Sequence, residues 1–298
     1  MNAESGTPPC DGDLLSTDRH RRDHLAWKRV IGIVGGLGPH AHIELERLML
    51  QAASDRLDRP ANDQDYPEWV LSSVPGTPDR TRAIIGEGPS PFAELARSLS
   101  RLSGSAPPWR ADFAVIACNT AHHYLDALRQ ISPIPILDMV GETIATAGKR
   151  ISKGARLGIL ATSGTLQAGL YPSAAKRLGL HVEIISLLNC THAGCCGDEL
   201  QERLVMEPIY GPIAGDRRTG GGIKSGLLSS TQSNDAKARL VEAVQILTRA
   251  GAEMVVLGCT ELPLALGRQA VQGTPVLDPL EVAANAAVEI ALDERPLP

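Results

Sequence analysis

An internal repeat constrains this chain more than any other feature, because three segments recur in the same order in its two halves. Ile31-Gly-Ile-Val-Gly-Gly-Leu-Gly-Pro39 is matched by Leu157-Gly-Ile-Leu-Ala-Thr-Ser-Gly-Thr165. Ala111-Asp-Phe-Ala-Val-Ile-Ala-Cys-Asn-Thr120 is matched by Ala252-Glu-Met-Val-Val-Leu-Gly-Cys-Thr260, in each case an apolar run ending in Cys with a Thr within two residues. Ile134-Pro-Ile-Leu-Asp-Met-Val140 is then matched by Thr274-Pro-Val-Leu-Asp-Pro-Leu280. The simplest reading is two similar domains, each setting one cysteine at the carboxyl end of a strand.

The spacing of apolar and β-branched runs says which kind of domain. Strands are expected at Val30 to Val34, Trp69 to Val74, Phe113 to Ala117, Ile134 to Leu137, Leu157 to Leu160, Val182 to Ile185, Met254 to Leu257 and Pro275 to Leu277. Helical stretches separate them, which is the rhythm of a parallel sheet with crossover helices. The expected fold class is therefore α/β, with two pseudo-symmetric domains, each a parallel sheet flanked by helices. Open parallel sheets bind ligands beyond the carboxyl ends of their strands, so the two cysteines should face each other across a cleft between the domains.

A chain of 298 residues with 43% hydrophobic content has enough apolar surface for two such cores. Residues 1–28 read as a tail, disordered or loosely attached, since Asp11, Asp13, Asp18, Arg19, Arg21, Arg22 and Asp23 leave little there to bury. The same charged start does not resemble a signal peptide, and no apolar run approaches the roughly 18 residues of a membrane helix. A cytoplasmic protein with no membrane partner is expected. The net charge is -5 and Lys and Arg are scattered, so no nucleic-acid partner is expected and a small molecule is the better fit. Six cysteines in a chain this long do not form a disulfide framework and read as thiols.

Cys118 and Cys259 are the leading candidates for chemistry. A lone Cys after an apolar strand is ordinarily a small buried hydrophobe. Here two occupy matched positions, each followed by polar groups and a helix-like segment that can stabilise a thiolate (Asn119 and Thr120; Thr260 and Glu261). Two thiols suit inversion of an α-carbon, which needs a base on one face and an acid on the other. A thiol pKa of about 8.5 is easily tuned so that one is ionised near neutral pH. No metal, pyridoxal group or other cofactor is implied.

Other motifs leave alternatives open. Gly35-Gly-Leu-Gly-Pro39 is a strand-to-helix turn, and its Gly36-x-Gly38-x-x-Ala41 spacing also meets the dinucleotide fingerprint, so an NAD-dependent dehydrogenase is an alternative. Against it, the next strand ends in Val74-Pro75-Gly76 with no acid for a ribose. The same turn fits backbone N–H groups approaching a carboxylate. Arg80, in Pro75-Gly-Thr-Pro-Asp-Arg-Thr81, is either a solvated turn residue or a bidentate carboxylate clamp. Lys224, in Gly220-Gly-Gly-Ile-Lys-Ser-Gly226, is either an ordinary loop residue or a cation carried by a mobile loop. Cys190, His192, Cys195 and Cys196 crowd together, but structural zinc sites usually draw on two separated pairs, and no second pair is evident.

At this point the chain resembles the aspartate/glutamate racemase superfamily, and within it the aspartate racemases. The carriers are Gly35-Gly-Leu-Gly-Pro39, Pro78-Asp-Arg-Thr81, Cys118-Asn-Thr-Ala-His122, Leu160-Ala-Thr-Ser-Gly-Thr165, Leu204-Val-Met-Glu-Pro-Ile-Tyr210, Gly222-Ile-Lys-Ser-Gly226 and Gly258-Cys-Thr-Glu-Leu-Pro263. The resemblance implies Cys118 and Cys259 as the acid/base pair, Cys118 acting on the D form and Cys259 on the L form. It implies Arg80 and Lys224 on the substrate carboxylates, and Asn119, Thr120, Thr162 and Thr260 around the α-carboxylate and amine. Thr165, Gly36 and Leu37 complete the expected substrate-binding set. Aspartate is the first-choice substrate and glutamate the second, with a related cofactor-free lyase or isomerase as the alternative function.

The family also implies a homodimer, and a first domain of residues 29–139 plus 275–298 around a second of 140–274. Leu37 and His42 depart from its pattern, and two stretches look inserted, about Leu187 to Cys196 and about Ile213 to Gly221.

Overall fold

The computed structural model describes residues 24–104, 110–214, 217–226 and 229–298. The first sheet contains β1 (Ile31–Gly35), β2 (Trp69–Ser73), β3 (Phe113–Ile116) and β4 (Ile136–Leu137), all parallel, in the order β2-β1-β3-β4. The second half opens with β5 (Arg156–Leu160) and β6 (Glu183–Ile185). A short antiparallel hairpin follows, β7 (Ile213–Ala214) with β8 (Arg217–Arg218), inside the second stretch that looked inserted. β9 (Ala252–Leu257) and β10 (Val276–Leu277) complete a second parallel sheet in the order β10-β9-β5-β6. Reversed, that order is the first sheet's, so the repeat in the residues is a repeat of topology.

Both faces of each sheet are covered, which is why β3 is buried throughout and β9 nearly so. On one face of the first sheet Ile31, Ile33, Phe113 and Val115 pack with the helix Pro39–Ser54. On the other, Ala114 and Ile116 pack with Leu95, Leu99 and Leu102 of the helix Phe92–Ser103. The second sheet is held between the helices Met139–Gly148 and Leu170–Arg177 on one side and Ser230–Arg249 on the other.

Each half exchanges its last helix with the other. Met139–Gly148 follows β4 of the first sheet yet buries Val140, Ile144 and Ala147 against β5 and β9. Pro279–Ala291 follows β10 yet buries Leu280, Ala283, Ala287 and Val288 in the first core. Asp138 and Asp278 cap these two helices, accepting from the Gly141 N–H at 2.8 Å and the Leu280 N–H at 2.9 Å. The last helix thus returns to the first domain, but the strand before it does not. Val276 and Leu277 pair with Val255 and Val256, so the chain leaves the second sheet only at Asp278, not at residue 275 as expected.

The stretch read as a tail also needs correcting where it is described. Residues 1–23 lie outside the described residues. Leu25, however, is buried in the first core, Trp27 packs against that core and donates Nε1–H to the Asp65 carbonyl at 3.2 Å, and the Lys28 N–H reaches the Ala291 carbonyl at 2.8 Å. Among charged neighbours these two apolar side chains suffice to dock the segment. No helix among the described residues is long and apolar enough to cross a membrane.

Candidate active site

In a sheet of order 2-1-3-4, connections diverge between the first and third strands, and the ends of those strands open on a crevice. In the first half that crevice is flanked by the glycine turn after β1 and by Cys118 after β3; in the second, by Thr162 to Thr165 after β5 and by Cys259 after β9. The two crevices meet. Arg80, Cys118, Asn119, Thr120, Thr162, Tyr210, Lys224, Cys259, Thr260 and Glu261 line one cavity of about 10 Å³, the room of a single water.

Both cysteines are free thiols and buried. The Cys118 carbonyl accepts from His122 Nδ1 at 2.9 Å, while His122 Nε2 accepts from the Met139 N–H at 3.3 Å. That pairing needs a neutral ring, and burial pushes the imidazole pKa down accordingly. Arg80 Nη2 donates to the Leu37 carbonyl and Nη1 to the Pro78 carbonyl at 3.0 Å, fixing the guanidinium to the glycine turn. Burial disfavours its charge, but Cys118, Asp79 and Tyr210 outweigh that and hold it protonated.

Cys259 stands in different company. Its Sγ donates to Glu261 Oε2 at 3.0 Å, and the Thr260 hydroxyl donates to the same oxygen at 3.0 Å. Lys224 Nζ meets Glu261 Oε1 at 3.1 Å and lies 5.3 Å from the centre of the Tyr210 ring. Burial opposes the lysine's charge, yet Glu261 and Tyr210 more than offset it and raise its pKa. Lys224 is not on a free loop: it sits in the turn Ile223–Ser225, whose Ile223 is buried in the second core.

The threonines join the halves. Thr120 Oγ1 is 2.8 Å from Thr165 Oγ1 and 3.3 Å from Thr162 Oγ1, and Thr81 donates to Thr162 at 3.4 Å. Thr165 is thus behind the cavity wall. Asn119 accepts from Tyr171 Oη at 2.6 Å, and its buried Nδ2 has no partner, a donor left over at the cavity.

Gly36 and Leu37 support rather than line the site. Gly36 has φ +80°, where a Cβ would fall 2.4 Å from the Val74 nitrogen, and its N–H donates to His42 Nδ1 at 3.2 Å. Gly38 has φ +121°, and its Cβ would lie 2.7 Å from Glu261 Oε1. The dinucleotide reading fits these glycines poorly, because a pyrophosphate on this turn would face a buried carboxylate. Around Cys190 the structure shows a tight hairpin, His192 pairing with Cys195. Among the described residues no group of three or more His, Cys, Asp or Glu side chains is placed to hold a metal ion.

Two participants carried no expectation and a third carried the wrong one. Glu261, counted among the polar groups able to stabilise a thiolate, instead accepts the Cys259 thiol hydrogen, and the charge of its carboxylate disfavours the thiolate. Tyr210 lay in a motif without a role. Tyr171, 52 residues from its partner Asn119, had no local signature at all.

Known proteins of similar sequence and shape fit this arrangement. Glutamate racemase of Sulfurihydrogenibium sp. is 29% identical over 157 residues, 52% of this chain and 48% of that protein. The broad specificity amino-acid racemase RacX of Bacillus subtilis is 28% identical over 153 residues, 51% of this chain and 63% of that protein. The matches therefore span about half to two thirds of these relatives' length. Among solved structures, Picrophilus torridus aspartate racemase superposes with a TM-score of 0.63 at 21% identity, covering 91% of this chain and 96% of its own. An aspartate racemase homologue from Pyrococcus horikoshii gives 0.60 at 20% identity, covering 89% and 99%. These likenesses show a shared fold. The family of Asp/Glu/hydantoin racemases matches residues 34–207 and 197–287, taking in both cysteines, both crevices and the segment that carries Lys224, and to that family this chain belongs.

Proposed function

We propose that the chain is a cofactor-independent amino-acid racemase acting on a small acidic amino acid, aspartate first and glutamate second. The observation that carries this reading is that two buried free thiols, from matched strand ends of two like sheets, line one cavity together with Arg80 and Lys224. One cysteine, as thiolate, takes the α-proton from one face of the substrate. The other, as thiol, delivers its own to the opposite face, and the pair is left with its protons exchanged.

The surrounding residues suit the charge that develops. Arg80 offers a fixed guanidinium for a carboxylate, Asn119 Nδ2 an unspent donor, and the Thr120, Thr162 and Thr260 hydroxyls further hydrogen bonds as the α-carbanion delocalises into its carboxylate. A cavity of about 10 Å³ cannot hold an amino acid, so binding requires the walls of the cavity to part.

The test is incubation of the purified protein with L-Asp, D-Asp, L-Glu and D-Glu in D₂O, following α-proton exchange by NMR. Exchange without added cofactor, surviving EDTA, is the expected result. A requirement for pyridoxal phosphate, NAD or zinc would end the reading.

A further inference from the structure

Among the described residues lining the cavity, Glu261 is the one carboxylate. It is almost wholly buried, and three of the roughly four hydrogen bonds that its oxygens can accept are already made, from Cys259, Thr260 and Lys224. Gly38 walls it from the first half. A buried charge so completely satisfied is fixed in place, and what it fixes is the thiol hydrogen of Cys259.

We propose that Glu261 is a proton-retaining positioning residue: by accepting the Cys259 thiol hydrogen it keeps Cys259 as the acid of the resting pair. The proposal rests on the two-cysteine reading above and adds what sets the two thiols apart. The energetics agree in direction. Burial pushes the Cys259 thiol pKa up and the charge of Glu261 pushes it further, while Lys224 and the Glu261 backbone N–H offset only part. Burial opposes ionisation of Glu261 too, yet Lys224 and the three donors hold its carboxyl below the usual range, so the shared proton belongs to sulfur.

The other titratable groups felt by Cys259 do not compete for that proton. Tyr210 and Tyr171 are buried phenols with raised pKa values and stay neutral, and Lys224 is a cation. When Cys259 gives its proton to the substrate carbon, its S–H bond breaks and a C–H bond forms. That leaves a thiolate against the Glu261 carboxylate, a like-charge contact that favours reprotonation and return to the resting state.

The ultraviolet thiolate absorbance of Cys118→Ser against pH, less that of the variant lacking both Cys118 and Cys259, reads Cys259 alone. Adding Glu261→Gln to Cys118→Ser is expected to lower the Cys259 midpoint by about one pH unit or more, since a like charge goes and Lys224 stays. Lys224→Met is expected to raise it, which gives a second reading should the glutamine variant not fold. Glu261→Asp, which keeps the charge, should stay close to the parent. A midpoint that is unmoved or raised in Glu261→Gln, or unmoved or lowered in Lys224→Met, overturns the proposal. The titration needs no turnover. If single cysteine variants racemise normally the two-cysteine reading fails by itself, whatever Glu261 does to the midpoint.

Discussion

Cys118 and Cys259 follow the third strand of two sheets with one topology, β3 in order 2-1-3-4 and β9 in order 6-5-9-10. In the first half the next residues are neutral, Asn119 and Thr120, and the nearby charge is the cation Arg80. In the second the next residues are Thr260 and Glu261, and the thiol itself is hydrogen-bonded to a carboxylate. The carbonyl of Cys118 is braced by His122, whereas that of Cys259 takes the Leu262 N–H at 3.0 Å. Duplicated backbone places two sulfurs symmetrically, and two side chains after each one make them chemically unlike. A reaction that removes a proton on one face and adds one on the other needs one thiolate and one thiol at a time.

After the cysteines themselves, the largest effect that separates the halves is expected from their cations. Arg80→Ala removes a buried clamp and leaves the Leu37 and Pro78 carbonyls without a donor, so kcat/KM for aspartate should fall by about 10- to 150-fold, the equivalent of roughly 1.5 to 3 kcal/mol, with a lower Tm as well. Lys224→Ala should weaken kcat/KM toward the lower end of that range, because Lys224 is partly exposed and already shared with Glu261. Steady-state kinetics and thermal melts of both variants check this. Equal, unchanged kinetics would remove both from the site.

A smaller effect should come from Tyr171, which reaches from the second half to orient Asn119 of the first. Tyr171→Phe frees the Asn119 amide to turn, and a lost hydrogen bond worth about 1 kcal/mol corresponds to roughly a fivefold loss, expected in kcat rather than KM. Loss confined to KM would show that the amide serves binding instead.

The smallest effect concerns the matched caps at the crossovers. Asp138 pairs with Arg177 near the surface, while Asp278, wholly buried with Arg268 at 2.7 Å, has its pKa pushed up to about 6, burial outweighing the arginine and the Leu280 N–H. With the unfolded value near about 3.9, the folded state holds the extra proton. Its contribution is therefore fully present below about pH 4 and lost as pH rises through about 6. Melting from pH 4 to 7 should show this loss, of order 1 kcal/mol, and Asp278→Asn should flatten it.

The strands were legible because each is a short apolar or β-branched run, the inner ones β1, β3 and β9 being buried almost throughout, and all eight expected runs became strands. The cysteines, with Asn119, Thr120 and Thr260 beside them, were legible because each follows a strand end, where chain direction carries the side chain toward the crevice, whereas Arg80, Thr162 and Lys224 were assigned to the site only by their resemblance to the family's motifs and are gathered at the same cavity. The exit of the last strand was not, since whether Val276 stays with β9 depends on hydrogen bonds to Val255 that no local pattern encodes. Tyr171 and the docking of Leu25 and Trp27 were hidden for the same reason: their meaning lies in partners distant along the chain. Thr165, Gly36 and Leu37 lie one layer back from the cavity, a distinction of depth that spacing does not record.

The central claim is that each cysteine serves one face of the substrate, and the measurement that tests it most directly is α-proton exchange of each enantiomer of aspartate in D₂O by Cys118→Ser and Cys259→Ser. Each variant is expected to lose racemisation by about 10² to 10⁴, the usual worth of general acid–base assistance. Each should retain exchange with one enantiomer only, Cys259→Ser with the D form and Cys118→Ser with the L form. Near-normal racemisation by either variant, or the same enantiomer preference in both, would contradict it.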